Sequence, residues 1–178
     1  RRGLMKRAFL FVVMIVLATT VVAVPAMAEE KSLSASVQVS EYINFTIRDS
    51  GSSGISFSNL NPGAVDAAEA SQNATTPAVE LIVGKDTNVK CSLNIRASGD
   101  FIHSTDSTKT INIANAKWDT DSDPTGARLM SQTSSLVGET SPSTSDTSVK
   151  VWHFLSVPSN AVAGSYSTTF WYEAVKRP

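Results

Sequence analysis

The chain has 178 residues, with 15 basic and 16 acidic side chains, two histidines and one cysteine. A net charge of −1 leaves no basic footprint for nucleic acid or anionic lipid. A single thiol excludes an internal disulfide framework, so any stable domain must rest on apolar packing.

The N-terminal stretch carries a targeting pattern. Arg1, Arg2, Lys6 and Arg7 form a basic region, and Phe9 to Val24 is an uncharged apolar run. Ala26-Met27-Ala28 is a small-x-small site, followed by Glu29 and Glu30. This order predicts a secretory signal peptide over 1–28. The apolar run, about 16 residues, is short for a spanning helix of about 20; a retained anchor is the competing reading. Cleavage after Ala28 removes four of the 15 basic residues and no acidic one, leaving a net charge of −5. The expected location is extracellular or at the cell surface. Membrane contact is expected only through the signal peptide before cleavage.

Beyond residue 30 apolar residues alternate. "SLSASVQVS" places Leu33, Ala35, Val37 and Val39 on one face. "YINFTIR" turns Ile43, Phe45 and Ile47 inward, and "GISFSNL" reads as a further strand with Ile55 and Phe57 inward. "AVDAAEASQ" allows at most one or two helical turns within a loop. "AVELIVG" gives Val79, Leu81 and Val83, and Gly84 to Asn88 reads as a turn. After it Val89, Cys91, Leu93, Ile95 and Ala97 share a face. Cys91 is therefore expected as an inert core residue, against the alternatives of a nucleophile or an interchain link.

"KTINIANAKW" shifts phase between Ile113 and Ala116, which suggests a bulge. Ser131 to Ser148, "SQTSSLVGETSPSTSDTS", reads as a long mobile connection because bulky apolar residues are scarce. In "SVKVWHFLSVP", Trp152 and Phe154 alternate with Val151, His153 and Leu155. Both faces are apolar, as in a central, buried strand. "GSYSTTFWYEA" sets Tyr166, Thr168, Phe170 and Tyr172 on one face and leaves Trp171 on the Ser/Thr face. The sum predicts an all-β fold: an antiparallel immunoglobulin-like or jelly-roll-type β-sandwich of about seven to eight strands, in one secreted domain over 29–178.

Motifs for chemistry are sparse. His103 and His153 have no partner at a metal-ligand spacing, and there is no G-x-S-x-G elbow or phosphate-cradling glycine loop. A non-catalytic protein is expected. Asp119, Asp121 and Asp123 alternate like the first oxygen ligands of an EF-hand. Pro124 stands where the sharp-turn glycine belongs, and Met130 where the bidentate glutamate belongs. The three are candidate ligands of another kind of calcium site, against a reading as a solubilising loop; no other cofactor is expected. Asn44-Phe45-Thr46 and Asn73-Ala74-Thr75 are candidate N-glycosylation sequons.

Two segments carry a family resemblance. The first is "ISFSNLNPGA", with Ile55, Phe57, Leu60, Pro62 and Gly63. The second is "VPSNAVAGSYSTTFWYEA", with Val157-Pro158, Ala163-Gly164, Tyr166, Phe170 and Tyr172. In this order they resemble exported β-sandwich surface proteins of archaea and bacteria, including TasA-like and archaeal bundling-pilus filament subunits. The shared positions shape turns and core, so the resemblance implies fold and location before activity. It also implies assembly by strand donation, for which Leu33, Ala35, Val37 and Val39 form the candidate donor face. The competing reading is a first strand paired within its own domain.

Two functions follow as expectations. The first is a structural protein of the cell surface or an extracellular filament, with self-association or cell-surface components as partners. The second is a carbohydrate- or surface-binding module, with Trp171 as the contact.

Overall fold

The computed structural model describes residues 36–51 and 54–178. The expected signal peptide over 1–28, with its cleavage site, and Leu33 and Ala35 of the candidate donor face lie outside these residues. Val39–Pro178 forms one compact unit, distinct from Arg1–Gln38.

Twelve strands are present among the described residues. They are β1 (Phe45–Asp49), β2 (Ala67–Ala68), β3 (Val79–Val83), β4 (Cys91–Ala97), β5 (Phe101–His103), β6 (Thr110–Ile111), β7 (Ala116–Asp119), β8 (Arg128–Leu129), β9 (Ser135–Thr140), β10 (Thr147–Leu155), β11 (Tyr166–Ser167) and β12 (Phe170–Lys176). One sheet runs β1-β3-β10-β7-β8, with β2 beside the end of β10. A second runs β12-β4-β9 and a small third runs β11-β5-β6. Every ladder is antiparallel. The result is the β-sandwich that the alternating pattern predicts.

Side-chain period explains the core. Along β3 and β4 every second residue is buried: Val79, Leu81 and Val83, then Cys91, Leu93, Ile95 and Ala97. In β10 the five consecutive residues Val151 to Leu155 are all buried. This strand is central. Its first half pairs with β3, from Thr147↔Val83 to Val151↔Val79, and its second half with β7, from Trp152↔Asp119 to Leu155↔Ala116. The Glu69–Thr76 loop holds Trp152, whose indole N–H donates to the Asn73 carbonyl at 2.8 Å.

Four expectations need correction. Ile55 and Phe57 form no strand; they lie half-buried in a loop that contains Gly54 at φ +87° and Asn59 at φ +57°. The phase shift before Ala116 is a 3-10 turn over Ile113–Asn115, capped by the Asn112 side chain, which accepts from Ala114 N–H. The connection from Ser131 to Ser148 contains a full strand, β9, paired to β4 with a register shift between Leu93 and Asn94. Gly138 lets β9 pack closely on β10, because a Cβ there would sit 3.1 Å from Val149 Cγ2. Finally, "AVDAAEASQ" forms the short β2 and turns instead of helix, for a reason that lies in Glu69.

Candidate functional site

Among the described residues the sandwich is not closed. Between β1 and β12 lies a groove of about 1100 Å³. Val79, Phe101, Ile111 and Leu155 form its floor. One wall is Ile47 with the Gly54–Pro62 loop, including Ile55, Phe57 and Leu60; the other is Tyr166, Phe170 and Tyr172. Ile47 points inward as its period demands, yet it is 45% exposed, with no described strand over it. Ser, Asn and Thr residues line the rim, and Asp49 is the single charged residue of the lining among the described residues.

Each wall is held by a buried polar clamp. Glu69 is 3% exposed, and its carboxylate accepts from the backbone N–H of Ser56, Ser71 and Gln72 and from Ser71 Oγ. A buried carboxylate needs such donors. Here they pull the lip loop and the Glu69–Thr76 loop together, and they take the backbone donors that a helix would use. On the other wall His103 Nε2 lies 3.2 Å from the Ala163 carbonyl, and Tyr166 Oη donates to the Val162 carbonyl at 2.9 Å. The His103 and Tyr166 rings meet edge to face at 4.9 Å. Gly164 fits this corner because it holds φ +150°, and a Cβ there would collide with His103 Nε2.

A third clamp ties the two sheets beside the groove. His153 Nε2 and Tyr172 Oη are 2.8 Å apart, and the imidazole stacks on Phe170 at 5.2 Å. His153 Nδ1 has no partner of normal geometry among the described residues. Burial pushes the imidazole pKa down to about 3, offset only in part by the Lys117 backbone. Burial also raises the Tyr172 phenol, with the Glu69 charge adding to the effect. Both side chains therefore stay neutral around pH 7, as a structural tie requires.

The groove is flanked by two bare strand edges. In the β12–β4 ladder Ser98 N–H bonds the Thr169 carbonyl and Arg177 N–H bonds the Lys90 carbonyl. Antiparallel alternation then turns the backbone groups of Trp171, Glu173 and Val175 toward β4 and those of Phe170, Tyr172, Ala174 and Lys176 away from it. In β1, Gly84 N–H bonds the Asn44 carbonyl and Ser50 N–H bonds the Ala78 carbonyl. Phe45, Ile47 and Asp49 therefore direct their backbone groups to the free side. No other described strand pairs with either edge.

The residues singled out from sequence are scattered. Asp121 Oδ1 accepts Asp123 N–H, Asp123 Oδ1 accepts Thr125 N–H, and Asp119 Oδ1 accepts Thr120 N–H. The Thr125 backbone N–H holds the Asp123 carboxyl below its ordinary range. Local turns thus occupy these carboxylates, and no group of three or more His, Cys, Asp or Glu able to hold a metal occurs among the described residues. Asn73 is exposed, with Oδ1 bound to Thr75 and Thr76. Asn44, expected on an exposed face, is half-buried, its amide packed against the space a Gly84 side chain would need. Val37 and Val39 are 88% and 73% exposed, and no strand forms over 36–44. Trp171 is 50% exposed, with the Arg96 guanidinium 5.4 Å from its ring centre, whereas Trp118 and Trp152 are buried.

Sequence reasoning misses the clamps. The one available signal is Glu69, an acid that with Asp66 interrupts an alanine-rich stretch beside apolar strands. No protein-family model matches the chain, and no curated protein matches it.

Proposed function

We propose that the chain is a non-catalytic, secreted structural protein of the cell surface or an extracellular filament, in the manner of the TasA-like and bundling-pilus subunits it resembles. It assembles by self-association, with the N-terminal segment of one copy completing the sandwich of the next. The observation that carries this reading is the open apolar groove between two bare strand edges. Unpaired edges and uncovered Ile, Phe and Leu side chains favour an added strand. The uncharged, alternating segment that precedes Ser40 has the right pattern for one. Electron microscopy and size-exclusion chromatography test the reading, using the chain with and without Lys31–Ser40. Ordered assemblies that vanish on removal of the segment are expected. Dispersed monomers in both samples sink it.

A second reading, a carbohydrate- or surface-binding module, is favoured by Trp171 alone, whose half-exposed ring offers a stacking face. Glycan binding lost in Trp171→Ala supports it; binding absent, or unchanged in that variant, removes it.

A further inference from the structure

We propose that β12, not β1, is the edge that receives Lys31–Ser40 of a second copy, and that the incoming strand runs antiparallel to it. This inference rests on the assembly reading above and adds the acceptor, the direction and the register.

The two edges differ in their defences. β1 offers five residues, and its end carries Asp49, which lines the groove and whose Oδ2 accepts Gly54 N–H. An inward-facing charge is a known guard against strand addition. β12 offers seven residues; on its inward face Phe170 and Tyr172 line the groove and are uncharged, and the one charge, Lys176, lies at the strand's end outside the groove lining, paired with Glu41. Ser32–Ser40 also lacks any charge, so nothing in it would be buried unpaired.

Direction follows from where the chain's own segment starts. Asn88 Nδ2 donates to the Ser40 carbonyl at 2.8 Å, and Tyr42 N–H donates to Asn88 Oδ1 at 2.7 Å. Glu41 pairs with Lys176, at the C-terminal end of β12. From that anchor, a molecule's own segment can lie along β12 only in the parallel sense. A second copy has no such tether and can form the antiparallel ladder, which is the more stable per residue. Four apolar residues cover the seven-residue edge fully in one register: Leu33, Ala35, Val37 and Val39 opposite Lys176, Ala174, Tyr172 and Phe170. That register sets Gln38 beside Trp171, and Ser34 beside Val175, on the outer face. These are non-hydrogen-bonded pairs at about 4.5 Å between Cα atoms, within disulfide reach.

The test mixes purified chains, each carrying one introduced cysteine, under oxidising conditions and reads interchain disulfides on non-reducing gels. Cys91 is fully buried, so the parent chain gives the background. Gln38→Cys is expected to link to Trp171→Cys, and Ser34→Cys to Val175→Cys. The swapped pattern, Gln38 with Val175, would overturn the direction. Links to Thr46→Cys or Arg48→Cys on β1 would overturn the acceptor, and a link formed only within a doubly substituted chain would overturn the second copy. In parallel, Ala174→Pro removes an N–H that faces the free edge and leaves the β4 ladder intact. It should abolish assembly with an unchanged circular dichroism spectrum. Assemblies that form by microscopy without any β12 link refute the acceptor and leave the assembly reading standing; no assembly and no link refute both.

Discussion

The buried His153–Tyr172 pair makes the stability of this fold depend on pH in a defined window. The folded imidazole pKa is pushed down from 6.5 to about 3 because the ring is fully enclosed. Since the folded value is depressed, the unfolded chain binds the proton more readily. The stability contributed by this group is complete above about pH 6.5 and declines as pH falls toward 3. Between those two values each step of one in pH changes the folding free energy by about 1.4 kcal/mol. Lowering the pH from 6.5 to 5 should therefore cost about 2 kcal/mol from His153. Carboxyls whose pKa is lowered, such as Asp106 and Asp123, act below their ordinary value of 3.8, at the acid end of this window and outside the interval from pH 7 to 5. Urea unfolding at pH 7, 6 and 5 measures the slope, and the same series on His153→Gln subtracts every other group. The ring protons of His153, followed by NMR in the native protein, should not titrate between pH 8 and about 5. A native midpoint near 6.5, or equal slopes for the two proteins, would refute the enclosure of this histidine.

The other predictions probe the remaining clamps and sites. Gly164→Ala should destabilise the fold by about 1–3 kcal/mol in urea, because it combines a left-handed backbone with a clash on His103; wild-type stability would mean that the corner is free to move. Cys91 should resist thiol reagents in the native state and react on unfolding, since burial both encloses the sulfur and raises its pKa; rapid native labelling would contradict its place in the core. Calcium or a chelator should leave the thermal midpoint unchanged, because turns occupy Asp119, Asp121 and Asp123; a concentration-dependent rise with calcium would restore that loop as a binding site.

The parts of the fold legible in the sequence are those where side-chain period and burial coincide. The alternation through Cys91, Leu93, Ile95 and Ala97 gives the face of β4, and the two-sided apolar run through Trp152 and His153 marks β10 as central. What escapes is decided by long-range polar partners. Glu69 reaches Ser56 across 13 residues, and Gln72 brackets the His153 backbone across 81. No local pattern announces such contacts. β9 is hidden because only Leu136 and Val137 are apolar in it, while its close approach to β10 uses Gly138, which leaves room for Val149. Asn44 escapes for the same reason: alternation assigns a face, but Gly84 decides what stands beside it.

The groove cannot be found by pattern because it is a mismatch between pattern and partner. Ile47, Ile55 and Phe57 obey the inward rule, and in a closed sandwich they would be buried. They are not, because the described chain has no strand to lay over them. At the other end of the same rule stand Val37 and Val39, in a segment that alternates as a strand should and forms no ladder over its described residues, from 36 onward. Each defect is a liability by itself: an uncovered apolar surface invites aggregation, and bare edges invite pairing. Natural folds usually guard such edges. Here β1 carries Asp49 within the groove lining, while the inward charge of β12, Lys176, lies at the strand's end outside that lining and is paired with Glu41. Within the groove itself the only charge among the described residues is therefore on the β1 side, and a strand laid along β12 there would meet apolar side chains.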